Sequence, residues 1–173
     1  MTQCVQWRLV LVCGACLALA SCGDADNTAA EEPTVPAAQY AERGDELCRR
    51  VAVQVIDLRI QQRLRKAQYS PGTEEKKLTR AVPVLVDQLR VISEFRRKFE
   101  LLGWPSTHRD DAERLIDKSR SAEEELQRVI DAARSHDAAT ARDALRRYYG
   151  FATQSASIAR DSELNFAICG AGA

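Results

Sequence analysis

The spacing of apolar residues between residues 107 and 134 constrains the fold more than any other feature of this sequence. Apolar or small side chains recur there at steps of three and four residues: Ala112, Leu115, Ser119, Ala122, Leu126, Val129 and Ala133. This period places the side chains in one stripe along one face of an α-helix. A helix with a single apolar stripe buries it against other elements, so the pattern predicts a helical domain with a shared core.

Turn-forming residues divide the chain beyond residue 44 into four such segments. Strong turns are expected at residues 69–73 and 103–107, and a weaker one at 135–137, where Asp137 fits an N-cap. The predicted helices are 45–67, with Asp45 as N-cap, 73–102, 107–134 and 138–163. Short connections favour antiparallel neighbours. The predicted fold is therefore all-α, an up-down-up-down four-helix bundle over residues 45–173.

Two stretches complicate this assignment. Residues 51–60 alternate in a way that also suits a strand, but isolated strands in so helical a chain form only a marginal sheet, so a helix is preferred. Pro83 lies inside the second segment, where proline is expected to kink the helix or to mark its true start.

Composition is that of an ordinary globular protein. Of 173 residues, 45% are hydrophobic and 29% charged, and the formal net charge is zero, which gives no support for nucleic-acid binding. Residues 24–46 are acidic, whereas 23 basic and 18 acidic side chains follow from Leu47 onward. A solvated helical surface is the preferred explanation of the basic excess, and contact with anionic lipid or cell-wall polymer is the alternative.

The N-terminal residues have the pattern of a targeting segment. An apolar stretch from Leu9 to Ala20 is too short to span a bilayer and follows a short basic start, as in a signal peptide. The sequence Leu19-Ala20-Ser21-Cys22-Gly23 resembles the lipobox of bacterial lipoproteins. That resemblance implies cleavage before Cys22 and acylation of Cys22. Residues 1–21 would then be a signal peptide, residues 22–44 a lipidated cysteine with a flexible acidic tether, and the domain would lie outside the membrane. An ordinary secretory signal is the alternative.

Cysteine usage agrees with export. Cys4, Cys13 and Cys16 would leave with the signal peptide, so that Cys48 and Cys169 remain beside Cys22 and are expected to pair in an oxidising compartment. The predicted topology places these two residues at the same end of the bundle, Cys48 in the first turn of the first helix. The Cys169-Gly170 pair is similar to that of small actinobacterial helical-bundle lipoproteins, a resemblance that implies no activity.

No pattern for catalysis, metal binding or a cofactor stands out. His108 and His136 lie at opposite ends of the third predicted helix, roughly 40 Å apart at 1.5 Å per residue, too far to share a metal ion. The acidic runs 110–111 and 123–125 point in diverging directions, because neighbours on a helix are about 100° apart, and are interpreted as solvated surface. We therefore expect neither an enzyme nor a cofactor.

Binding is the remaining class of function. The first predicted helix carries apolar residues on two opposite faces, and a bundle helix needs only one. The spare stripe consists of Val53, Ile56, Ile60 and Leu64, which predicts a non-enzymatic interaction module for an envelope protein. The structural alternative is that the tether, the C-terminal tail around Cys169 or deeper burial in the domain covers it. The small residues of 152–159 allow close helix packing or a cavity, and the cavity would suit a lipophilic carrier or sensor.

Overall fold

The computed structural model of this chain describes residues 34–169. Its elements are β1 (Thr34–Val35), α1 (Ala37–Asp57), α2 (Ile60–Gln68), α3 (Glu74–Glu100), β2 (Trp104–Pro105), α4 (Arg109–Arg134) and α5 (Ala138–Asp161). The mostly helical class is confirmed. The predicted number of helices is wrong, because residues 34–169 form five. The predicted signal peptide, Cys22 and Gly170 lie outside the described residues.

The first helix begins earlier than the sequence suggests. It starts at Ala37, directly after Pro36, so Asp45 lies within α1 and is not its N-cap. Helix formation extends here because Tyr40 and Ala41 are buried, Tyr40 completely. The predicted boundary at residue 44 is thus too late: residues 37–44 belong to the domain and not to a flexible tether. Cys48, expected in the first turn of the helix, lies near its middle.

A left-handed residue divides the segment predicted as one helix. Arg59 has φ 50° and ψ 37°, and its backbone N–H donates to the carbonyl of Ile56 at 2.9 Å. Such a conformation is disfavoured for residues with a Cβ and cannot continue a right-handed helix. The chain therefore ends α1 at Asp57 and begins α2 at Ile60 in a new direction.

Successive long segments pack against each other in antiparallel fashion. Arg63 of α2 pairs with Asp87 of α3 at 2.8 Å, and Ser93 of α3 hydrogen-bonds Glu123 of α4 at 2.7 Å. Further along, Ser119 of α4 lies 3.0 Å from Ser155 of α5. Both α1 and α2 pack on α3.

Side-chain caps mark the starts of α3 and α5. Thr73 caps α3 by accepting the N–H of Lys76 at 3.5 Å, and Asp137 caps α5 by accepting that of Thr140 at 3.0 Å. The predicted N-cap at Asp137 is confirmed. Pro83 is an exposed residue inside α3 and does not mark its start.

The core consists of two apolar clusters along the long axis of α4. One contains Leu85, Ala122, Leu126, Val129, Ile130, Ala144 and Tyr148. The other contains Tyr40, Ala41, Phe99, Ala112, Leu115, Ile116, Ala159, Leu164 and Phe166. The apolar stripe of α4 supplies both clusters. The second cluster is completed by the segment after α5, since Leu164 and Phe166 belong to it.

Two short strands attach the first described residues to the rest of the fold. Thr34 and Val35 pair in parallel with Trp104 and Pro105, and the N–H of Ser106 donates to the carbonyl of Val35 at 2.7 Å. Strand β2 belongs to the loop that joins α3 to α4. Its pairing with β1 therefore attaches the residues just before α1 to that loop.

Candidate interaction surface

The four predicted partner-binding residues separate into two pairs. Val53 and Ile56 are exposed to 52% and 72%. Ile60 is 1% exposed, and Leu64 is partly buried against the cluster around Leu126. The prediction of one continuous spare stripe is therefore wrong. Its physical reason is the left-handed Arg59, which turns α2 so that its apolar side faces α3.

What remains on the surface is a mixed apolar and basic area, which we call the outer face. It comprises exposed residues of α1, of the turn at Arg59 and of the C-terminal part of α2: Arg49, Ala52, Val53, Ile56, Asp57, Arg59, Arg65, Lys66 and Tyr69. Tyr69, at the C-terminal end of α2, is 79% exposed. Isolated exposed apolar residues are common on protein surfaces. Here three of them lie in one segment, residues 49–69, that also carries exposed basic side chains.

The disulfide joins α1 to the segment that follows α5. Cys48 and Cys169 are bonded with their Cα atoms 5.4 Å apart, as the sequence predicts. The bond joins residues 121 positions apart. By the chain-entropy argument a loop of that length contributes about 5 kcal/mol to the free energy of unfolding.

A buried carboxylate supports the same connection. Asp45, which is 9% exposed, accepts three backbone N–H groups from the C-terminal segment. Its oxygens lie 2.8 Å from the nitrogen of Ala167, 2.9 Å from that of Ile168 and 3.0 Å from that of Cys169. Such N–H groups would otherwise lose their hydrogen bonds to water on burial. Asp45 therefore anchors the C-terminal segment, a role that the N-cap interpretation missed.

An open cleft of about 660 Å³ lies between the first turns of α1 and this C-terminal segment. Its polar lining includes Glu42, Glu46 and Arg49 from α1, together with His108 and Glu163. His108 Nδ1 lies 3.2 Å from Glu163 Oε2, whose side chain is 79% exposed. Asp45 in this cleft is engaged by backbone N–H groups, and the Glu163 side chain that contacts His108 is largely solvated.

The two histidines occupy left-handed backbone positions at the two ends of α4. Both have positive φ, 61° for His108 and 60° for His136. At the C-terminal end the N–H of His136 donates to the carbonyl of Ala133 and that of Asp137 to the carbonyl of Ala132. This is the Schellman arrangement, in which the left-handed position is usually glycine. Residues 34–169 contain no group of three or more side chains suited to hold a metal ion.

The acidic run on α4 is structural as well as solvated. Glu124 is exposed, but Glu123 contacts α3 and Glu125 contacts α5. Burial opposes ionisation of Glu123, but hydrogen bonds from Arg96 and Ser93 outweigh it and lower the pKa of Glu123. The same balance, with Arg147 as the leading hydrogen-bond donor, lowers the pKa of Glu125. These carboxylates link helices and are not the wholly solvated surface expected from the sequence.

The small residues of α5 serve helix packing. Ser155 contacts Ser119 across the α4–α5 interface, and Ala159 is buried. This is the close approach that small side chains allow. Nearby, the side-chain amide of Gln88 donates to the hydroxyl of Tyr148 at 2.7 Å, while burial and the neighbouring Tyr149 raise the pKa of Tyr148 to about 12.

Comparison with known proteins adds no relative: no family model, curated protein or solved structure matches this chain. Among helices α1 to α5, none combines the length and the hydropathy that crossing a bilayer requires.

Proposed function

We propose that this protein is an extracytoplasmic lipoprotein, anchored in the cell membrane through acylated Cys22, whose helical domain is a non-enzymatic interaction module. The observation that carries the proposal is the Cys48–Cys169 disulfide. Disulfides of this kind persist in oxidising compartments. Once residues 1–21 are removed, the bond leaves Cys22 as the one cysteine for acylation, in agreement with the lipobox-like sequence around it.

The interaction part of the proposal is supported by the outer face. Val53 and Ile56 are exposed on a helix that also packs on α3. The sequence predicts an envelope protein as the partner. That identity stays a prediction. We further propose that α1 and α2 together take the place of one helix in an up-down-up-down bundle.

The lipophilic carrier remains the alternative from the sequence. Its expected cavity was beside the small residues of α5. We favour the interaction module because the Ser119–Ser155 contact uses part of that face for helix packing. Native mass spectrometry of protein from its own host tests the choice, since a co-purifying apolar ligand would support the carrier instead.

Anchoring is tested by labelling cells with radioactive palmitate and comparing the wild-type chain with Cys22→Ser. We expect label on the wild-type protein alone, and release of the variant from the membrane fraction. A Cys169→Ser chain, which retains Cys22, is the matched control and should still be labelled. Absence of label on the wild-type protein would contradict the proposal.

Contact through the outer face is tested by placing a photo-crosslinking amino acid at position 56 in living cells. Position 124 on α4 is the control, because Glu124 is also exposed but lies outside the outer face. We expect cross-linked products specific to position 56. Equal products at both positions would remove Ile56 from the contact surface.

A further inference from the structure

The segment that forms the outer face has an uneven charge. Residues 49–69 contain six basic side chains and one acidic side chain. Ion pairs engage Arg49 and Arg50, which share Glu46, and Arg63, which pairs with Asp87. The other three basic residues, Arg59, Arg65 and Lys66, are exposed and form no ion pair with any described residue. Asp57 is the one exposed acidic residue of the same segment, so the exposed basic residues without an ion pair outnumber it and leave the outer face with excess positive charge.

Its apolar residues are placed among these charges. Val53, Ile56 and Tyr69 are 52%, 72% and 79% exposed. Apolar side chains with lysine and arginine around them characterise helices that lie in the headgroup region of a membrane. Tyrosine also favours this region, because its ring is apolar and its hydroxyl is polar. The composition of the outer face thus matches an anionic lipid surface.

Chain length permits this contact. Cys22 and Thr34 are separated by twelve residue steps, which span at most roughly 40 Å when extended. Helix α1 has 21 residues and is thus about 31 Å long. A domain held by so short a connection can lay α1 and α2 along the surface that holds the anchor.

We propose that the outer face binds the anionic phospholipid headgroups of the leaflet that carries the lipid anchor. Arg59, Arg65 and Lys66 contact the phosphates, and the exposed apolar side chains enter the boundary between headgroups and acyl chains. The proposal rests on the proposed function, and it names anionic phospholipid as the partner that the outer face binds. It sets α1 and α2 flat on the membrane and turns α4 and α5 away from it.

The test uses the full mature chain with Cys22→Ser, so that binding does not depend on the acyl group. Its probe is a vesicle of equal parts phosphatidylglycerol and phosphatidylcholine, with pure phosphatidylcholine vesicles beside it, in a co-sedimentation assay. One variant combines Arg65→Gln with Lys66→Gln, and a second carries Ile56→Ser. The matched control combines Arg134→Gln with Arg146→Gln, exposed residues of α4 and α5.

We expect binding to the anionic vesicles only. Each basic residue near an anionic surface is worth a factor of about five, so the Arg65/Lys66 variant should bind roughly 25-fold more weakly. The Ile56→Ser chain should also bind more weakly, and the control should match the wild type. High salt should weaken the binding of the wild-type chain.

Three results would overturn the inference: no binding of the wild-type chain, equal loss in the control variant, or a dimer in solution that Ile56→Ser dissociates. The last result would show that the outer face binds a second copy of this chain. None of them bears on palmitate labelling of Cys22. Conversely, failure of that labelling with intact vesicle binding would overturn the anchor and leave the surface assignment standing.

Discussion

Two glycines in helices provide a sharp test of how the C-terminal segment packs. Gly44 lies inside α1, and a Cβ added there would be 2.6 Å from Cε1 of Phe166 and 3.0 Å from Cε2 of Phe99. Gly150 lies inside α5, where a Cβ would meet nothing within 4 Å. Replacing an exposed helix glycine by alanine stabilises a protein by about 1 kcal/mol.

The two alanine variants should therefore differ in sign. We expect Gly150→Ala to raise the free energy of unfolding by about 1 kcal/mol. At Gly44 the same gain is opposed by overpacking, which costs about 1–3 kcal/mol in a filled core. Phe166 cannot move away easily, because Asp45 and the disulfide hold the residues after it. We expect Gly44→Ala to lower the free energy of unfolding by up to about 2 kcal/mol.

Urea unfolding of the oxidised mature chain, followed by circular dichroism, measures both values. Reduction of the disulfide should shrink the Gly44→Ala penalty, because the C-terminal segment then yields. If Gly44→Ala stabilised the protein as much as Gly150→Ala, the described packing of Phe166 on α1 would be refuted.

Three further outcomes follow from single residues. Asp45→Ala should cost about 3–5 kcal/mol, and Asp45→Asn about half as much, because the asparagine oxygen still accepts two N–H groups; urea unfolding measures the totals, and unchanged hydrogen exchange at residues 167–169 would contradict the role of Asp45. His136→Gly should raise stability by roughly 1 kcal/mol by relieving a positive φ, whereas His136→Ala should not, and thermal unfolding compares the two. Since the pKa of Glu123 is lowered in the folded state, its contribution is present above the unfolded pKa, near 4.3, and is lost as pH falls through the folded value. Glu123→Gln should therefore reduce the loss of stability between neutral and acidic pH, and an unchanged pH profile in urea unfolding would argue against it.

The parts of the fold that sequence reasoning found are those with a periodic signal. The α4 stripe was visible because each of its buried positions follows at three or four residues, and Asp137 was visible because an acidic side chain precedes a helical pattern. The disulfide followed from the count of cysteines after the predicted cleavage site.

The parts that it missed have weak or conflicting signals. Nothing marks Arg59 as left-handed, since glycine or asparagine usually occupies such a position. Residues 37–44 were assigned to the tether because they continue a stretch that is rich in alanine and glutamate and that contains two prolines just before them. Pro36 just before that stretch, and Tyr40 and Gly44 four residues apart on one face, were the available indications of a helix.

The candidate surface was half predicted for the same reason. Val53 and Ile56 were placed correctly on a side of α1 that α3 does not cover. Ile60 and Leu64 were added because one continuous helix was assumed, and the turn at Arg59 moves them into the core. The basic residues beside them were counted only in the overall charge, because their exposure depends on the orientation of α2.

The covalent link between residues 48 and 169 also decides how this protein responds to proteases. The connections at residues 69–73 and 101–108 lie within the stretch that the link encloses, and exposed turns are preferred sites of cleavage. One cut in either connection leaves two fragments that stay attached through sulfur. A nicked chain would therefore migrate as one species without a thiol reductant and as two in its presence.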